Sequence, residues 1–341
     1  ANVFLTEPPE AGVLLAMSGG TDALVDLRPL AARSDTLSPF HPPDDGFFDP
    51  DAAFFGAVEG LGLPGGTLPW TVGWALPLVL TLPTPSVPAF DLDIRPTGPM
   101  EARLFQTFLH AEHRWESMLS ADVPDVAVDL APELCLDGSP ALRESVDDLV
   151  VLAAVDSIDG PGGVVGQAGP CVVRTESSLP LVGLLRLDEA DVSSLESAGV
   201  LEDLILHELA HALGFGTVWT RLGLLAGGGT ADPTFVGPGA VSEYQALGGT
   251  DPAVPVEATG GPGTRDAHWR ESVFGDGRMT GWLALAGNPV SALTIRSLGD
   301  LGYAVDPSAA DAFGVPAPVR VAPPGGQVEI RELLVRPRWV R

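Results

Sequence analysis

The sequence predicts an α+β fold, and three observations carry the prediction. Apolar and polar residues alternate over Phe90–Arg95 and Val126–Leu130, as in half-buried strands. Continuous apolar runs at Leu149–Val155 and Leu181–Leu187 suit strands covered on both faces. Apolar residues recur at helical spacing over Pro99–Leu119, Leu201–Leu213 and Pro289–Leu301.

The elements follow in chain order. Residues 1–88 are rich in Pro, Gly, Asp and Phe and show no helical period. They read as an N-terminal arm, a propeptide or a small β-rich module. Pro83, Pro85 and Pro88 mark a linker, so a boundary is expected near residue 88. After the strand at 90–95, Pro99 is expected in the first turn of a helix with Leu104, Phe105, Phe108, Leu109, Trp115 and Leu119 on its apolar face. Beyond the strand at Leu181–Leu187, Asp188 is placed to cap a short helix that has acidic residues in its first turn and is interrupted by Gly199. The helix from Leu201 ends at Gly214, which supplies a left-handed cap. Residues 215–267 are dominated by Gly, Pro, Thr and Ala and read as a long irregular insertion. In the tail, 307–341, strand-like pieces at Val319–Val321 and Val328–Val335 are split by Pro323–Gly326.

Composition removes whole classes of function. Acidic residues number 45 against 18 basic ones, a formal charge of −27 over 341 residues. That surface repels phosphate backbones, which argues against nucleic-acid partners, and it disfavours anionic lipid. Every basic residue is Arg, so lysine chemistry such as Schiff-base formation is excluded. The most apolar stretch, Leu68–Leu82, contains Pro69 and Pro77 and is too short to cross a membrane. No leader-like segment opens the numbered chain. The two cysteines, Cys135 and Cys171, allow one disulfide, which would suit a secreted or cell-surface protein; the alternative is two buried thiols.

The sharpest motif is His207-Glu208-Leu-Ala-His211. Four residues on a helix advance about 40° beyond one full turn, so both imidazoles leave one face and can bind one zinc ion. Glu208 projects about 100° away from His207, placed to take a proton from a water on such a metal rather than to act as a further ligand. A catalytic zinc needs a third ligand. Of the other histidines, His41 lies in the Pro-rich arm and His110 and His113 lie on the 99–119 helix, which leaves His268 as the best candidate.

These residues resemble the metzincin metalloprotease signature, of which His207–Gly214 matches the first part. The usual third His would fall at Thr217. In the leishmanolysin branch an insertion displaces it to a His-Trp segment, and the chain has His268-Trp269 in that place. Met279, in Gly277-Arg-Met-Thr-Gly281, is similar to the Met-turn methionine. Gly169–Val173, Ser291–Ile295 and Leu298–Gly302 add further matches, so that the resemblance spans about residues 88–306.

The resemblance implies a zincin-like catalytic domain over 89–306, with a twisted mixed sheet and a zinc helix at 201–213. The insertion occupies 215–267, and a smaller C-terminal subdomain at 268–306 supplies the third His and the Met-turn. It implies a zinc-dependent endopeptidase acting on protein or peptide substrates. Zinc would be held by His207, His211 and His268, with Glu208 as base and Met279 as a packing floor. Substrate would lie extended along an edge strand, for which Leu181–Leu187 is the candidate. Neither tyrosine, Tyr244 or Tyr303, directly follows the Met-turn to serve as a second electrophile.

Two other readings compete. A gluzincin-type site would take its third ligand from Glu243, Glu257 or Glu271. A non-catalytic adhesion or binding protein would keep the scaffold alone. Residues 1–88 contain no cysteine, so if they are a propeptide, latency through a thiol is excluded and an acidic group such as Asp44, Asp45 or Asp49 could block the metal instead. Calcium has no regular Asp/Gly loop to support it.

Overall fold

The computed structural model describes residues 14–17, 23–26, 89–314, 326–335 and 337–339. The chain divides into two units, Ala1–Ser86 and Val87–Arg341. In the first, β1 (Leu14–Met17) and β2 (Ala23–Asp26) pair antiparallel. His41, Asp44, Asp45, Asp49, the linker at 81–87 and the strand expected at 319–321 lie outside the described residues.

The second unit is α+β, built on a mixed sheet. β3 (Leu92–Pro96), β6 (Leu149–Asp156) and β8 (Pro180–Asp188) run parallel to one another. β7 (Gly166–Val173) lies antiparallel to β8, and β14 (Glu332–Leu334) and β15 (Arg338–Trp339) run parallel to β7 on its far side. β8 is therefore an interior strand, not the edge expected for Leu181–Leu187. The strand between it and the edge, β7, carries Gly166, Gly169 and Pro170, which dilute the β pattern. Its ladder shifts register between Pro170 and Val173.

Alternate residues of β6 explain its unbroken apolar run. Leu149, Val151 and Ala153 join the core beneath the helices. Val150, Leu152 and Ala154 join a second core with Val128, Leu142 and Val146. These last belong to an antiparallel ribbon of β4 (Val126–Leu130) and β5 (Leu142–Val146). The disulfide Cys135–Cys171 ties the loop of this ribbon to β7.

Helix α1 (Ala102–Glu116) begins three residues after Pro99, with Glu101 as its N-cap, so Pro99 lies outside the first turn. Glu112 and Glu116 on α1 accept the backbone N–H groups of Ile94 and Leu92, both at 3.2 Å, and so satisfy the free edge of β3. The indole of Trp115 donates to the Leu206 carbonyl at 2.9 Å, which fixes α1 to the next long helix. Asp188 caps α2 (Glu189–Ala198) through Ala190 N–H and also accepts from Ile158, Asp159 and Gly160. Helix α3 (Leu201–Ala212) ends where Gly214, at φ 107°, lets Phe215 N–H reach back to the Ala210 carbonyl.

The 215–267 insertion is more ordered than its composition suggests. It contains α4 (Trp219–Leu222), α5 (Pro238–Ala246) and a small sheet of β9 (Leu225–Ala226), β10 (Thr234–Phe235) and β11 (Val254–Pro255). Two-residue strands are too short to leave a periodic trace. Phe215, Trp219, Phe235 and Trp269 pack edge-to-face and tilted, with centroids 4.6–5.6 Å apart. Trp269 also donates to Thr294 Oγ1, at 3.1 Å, on α7 (Ala292–Leu301), the helix that Ser291 caps. Short helix α6 (Glu271–Phe274) and strand β12 (Trp282–Ala284) complete this half, and β12 pairs with β13 (Gln327–Glu329). The tail strand expected over Val328–Val335 is thus two strands joined at Ile330–Arg331. Among the described residues no helix is long and apolar enough to cross a membrane.

Candidate metal centre

Helix α3 presents His207 and His211 one turn apart, and the turn after it brings in His268. Gly216, at φ 71°, lies against the segment that carries His268. A Cβ there would stand 2.3 Å from the Ala267 carbonyl oxygen, so glycine permits the approach. The bridge between Val256 and Trp269 and the bond from Glu257 N–H to the His268 carbonyl hold this segment from its other side.

The three Nε2 atoms form a small triangle with sides of 2.9, 3.1 and 3.1 Å. Each Nδ1 meets a backbone carbonyl: Arg278 O at 2.8 Å for His207, Phe215 O at 2.8 Å for His211 and Thr264 O at 3.0 Å for His268. A carbonyl only accepts, so each Nδ1 carries a proton, and each ring in its neutral form turns a lone pair into the triangle. Three lone pairs at that spacing repel one another unless a cation lies among them. Zinc–nitrogen bonds of about 2.0–2.1 Å reach all three atoms from one point. The donor set therefore fits a zinc ion, with the outer carbonyls fixing each ring.

Burial favours the neutral form of His207 and His211. All three imidazoles are fully buried, which pushes His211 down to about 3 and lowers His207. Glu208 is also fully buried, and neither of its oxygens has a hydrogen-bond partner. Burial first, and then the neighbouring carboxylate of Glu332, raise its carboxyl well above the usual range. Gly166 on β7 makes room for it, since a Cβ there would lie 2.3 Å from Glu208 Oε1.

Glu332, on β14, is the residue that sequence reasoning missed. Its Oε1 lies 2.8 Å from His268 Nε2, and its Oε2 lies 3.5 and 3.6 Å from His211 and His207 Nε2. Nothing in Val328–Val335 marks it, because a lone Glu in a strand has no ligand spacing to read. The carboxylates weighed for a gluzincin site are engaged elsewhere. Glu257 accepts from Ala258, Thr259 and Glu271, Glu243 faces Arg296 at 3.8 Å, and Glu271 accepts from Gln327.

Met279 is fully buried, and its carbonyl accepts from Trp269 N–H at 2.8 Å. The turn around it is fastened to α3 by an ion pair between Arg278 and Asp203, and Asn288 donates to the same carboxylate at 2.7 Å. Tyr303 donates to the Leu213 carbonyl at 3.0 Å and Tyr244 to Asp251 at 3.2 Å, so both hydroxyls serve packing contacts. His110 and His113 line a separate concavity of about 500 Å³ with Glu202, Asp203 and Arg278, which contains none of the three clustered imidazoles.

The family model for leishmanolysin, a peptidase family, matches residues 143–314, half of the chain, and the chain belongs to that family. No curated protein matches it.

Proposed function

We propose that this chain is a zinc-dependent endopeptidase of metzincin type. The observation that carries the reading is the triangle of three Nε2 lone pairs beside a buried glutamate without a hydrogen-bond partner. Membership of a peptidase family makes a peptide bond the substrate class.

His207, His211 and His268 would hold the zinc, since three neutral imidazoles with a fourth position free for water suit that metal. When bound, zinc supplies Lewis acidity that polarises a scissile carbonyl and lowers the pKa of water. Glu208 accepts the proton of the attacking water and delivers it to the leaving amine. The Arg278, Phe215 and Thr264 carbonyls hold the rings in the tautomer this requires. Met279 would be the Met-turn methionine, packing beneath the ligands and touching no substrate. Residues 89–306 would form the catalytic domain, with 1–88 an arm, propeptide or separate module. The disulfide supports secretion or cell-surface display.

Complete burial of the site favours a second reading, a binding protein that keeps the scaffold without turnover. Retention of Glu208 weighs against it, because no packing contact requires a buried carboxyl there.

Both readings are tested on the full chain and on a Glu332→Ala variant, by zinc content and by hydrolysis of unfolded casein. One zinc per chain, with hydrolysis stopped by a chelator and restored by zinc, is expected. A zinc-loaded variant that leaves casein intact would overturn the peptidase reading.

A further inference from the structure

We propose that residues 326–335 and 337–339 form a strap closing the metal site, with Glu332 as a displaceable fourth ligand in the place a reacting water needs. The proposal rests on the metallopeptidase reading above.

The first support is where the strap is fastened. At one end β13 pairs with β12, and Gly326 O accepts from Leu285 N–H at 3.1 Å. Ile330 N–H donates to Gly281 O at 3.0 Å as the strap leaves this half. At the other end β14 joins β7, framed by Val165 N–H to Arg331 O and Val335 N–H to Ala168 O, both at 2.8 Å. Glu332 is the first residue of this second anchorage, two positions after Ile330 leaves the other half.

The second support is the state of Glu332. Its side chain is fully buried, and neither oxygen accepts a hydrogen bond. A buried carboxylate left that way is unfavourable unless a cation or donor reaches it. The three Nε2 atoms stand 2.8–3.6 Å from its oxygens, an arrangement that a divalent cation among them would hold together.

The third is what the strap covers. An extended peptide binds most readily by adding a strand to a free sheet edge. The edge of β7 beside Glu208 is that of Gly166, Gln167 and Ala168, and Glu332, Leu333 and Leu334 are paired to it. With the strap seated, none of the three imidazoles nor Glu208 has any solvent exposure.

The fourth is a fitted seat. A Cβ at Gly263 would lie 2.1 Å from the Glu332 carbonyl oxygen, a backbone atom that cannot swing aside. The strap is nonetheless held by strands of two and three residues, so it can open without unfolding the sheet.

The test compares full-length wild type, Glu332→Ala and Gly263→Ala, each loaded with Co²⁺. In wild type the visible cobalt bands should be independent of pH around neutrality. In Glu332→Ala they should shift and titrate near about pH 7, as a water replaces the carboxylate. Amide hydrogen exchange at Ile330 and Val335 should accelerate in both variants. Casein hydrolysis by the zinc forms should rise on the order of tenfold or more, as for a site closed nine-tenths of the time. Superimposable cobalt spectra with unchanged exchange in folded variants would overturn the strap. Should Glu332→Ala fail to fold, Gly263→Ala decides alone, because it keeps the carboxyl and removes only its seat. Wild type cleaving as fast as both variants sinks the strap and leaves the peptidase reading standing. Separated spectra without hydrolysis in any form sink the peptidase reading and leave the strap.

Discussion

Oε1 of Glu332 lies 2.8 Å from Nε2 of His268, and neither atom donates a hydrogen bond to the other. His268 Nδ1 donates to the Thr264 carbonyl at 3.0 Å. Two acceptors this close, beside two further imidazoles, are the arrangement that a bound cation would bridge, and metal-dependent predictions follow from the proposed reading.

Glu208→Gln should keep one zinc per chain and lower casein hydrolysis by about 10²–10⁴-fold, the usual contribution of a general base. His211→Ala should lose the zinc itself. Metal analysis beside the hydrolysis assay separates the two, and retained hydrolysis in Glu208→Gln would remove it as the base.

The metal-free protein should be acid-labile. Burial holds His211 near 3 in the folded chain against about 6.5 when unfolded. Between those values the unfolded chain takes up a proton that the folded chain refuses, so stability is full above about pH 6.5 and falls as pH drops toward 3. His207 is shifted in the same direction, which steepens the loss. Thermal melting from pH 7.5 to 5 should show the decline, and zinc should delay it. A melting temperature flat over that range would contradict the burial argument.

Gly216→Ala should weaken metal binding by about 10–100-fold, because its Cβ would press on the Ala267 carbonyl and displace His268. Gly223→Ala is the control. It has the same φ of 71° but nothing within 4 Å of the added Cβ, so it bears the backbone strain without the clash. Equal metal affinity in the two variants would show that the close approach is not what positions His268.

Replacing Cys135 and Cys171 with Ser should lower stability by about 3–4 kcal/mol, the loop-closure value for a separation of 36 residues. Chemical denaturation of the oxidised protein against the double variant measures it. Because the bridge joins the β4–β5 ribbon to the strand that carries the strap, amide exchange along β7 should rise as well.

The parts legible in the sequence are those in which local chemistry and local geometry coincide. The spacing of His207 and His211 is a property of any helix, Asp188 and Gly214 act on their own neighbours, and the apolar run of β6 states its burial outright. Pro99 misled because its fixed φ suits a first turn without requiring one. The insertion misled because strands of two residues carry no period.

His268 could be named from a resemblance, but its approach to α3 depends on Gly216 meeting Ala267, a contact between distant segments. β7 and Glu332 could not be read at all. One is a strand whose glycines break the pattern because Gly166 makes room for Glu208 and Gly169 for Val335, and the other is an ordinary glutamate until the sheet brings it to three imidazoles. The sequence by itself determined that α3 turns His207 and His211 to one side with Glu208 between them, because helix periodicity acts over a few residues. The tertiary structure alone decided which strand forms the edge and what occupies it, because strand pairing joins residues that no local rule relates.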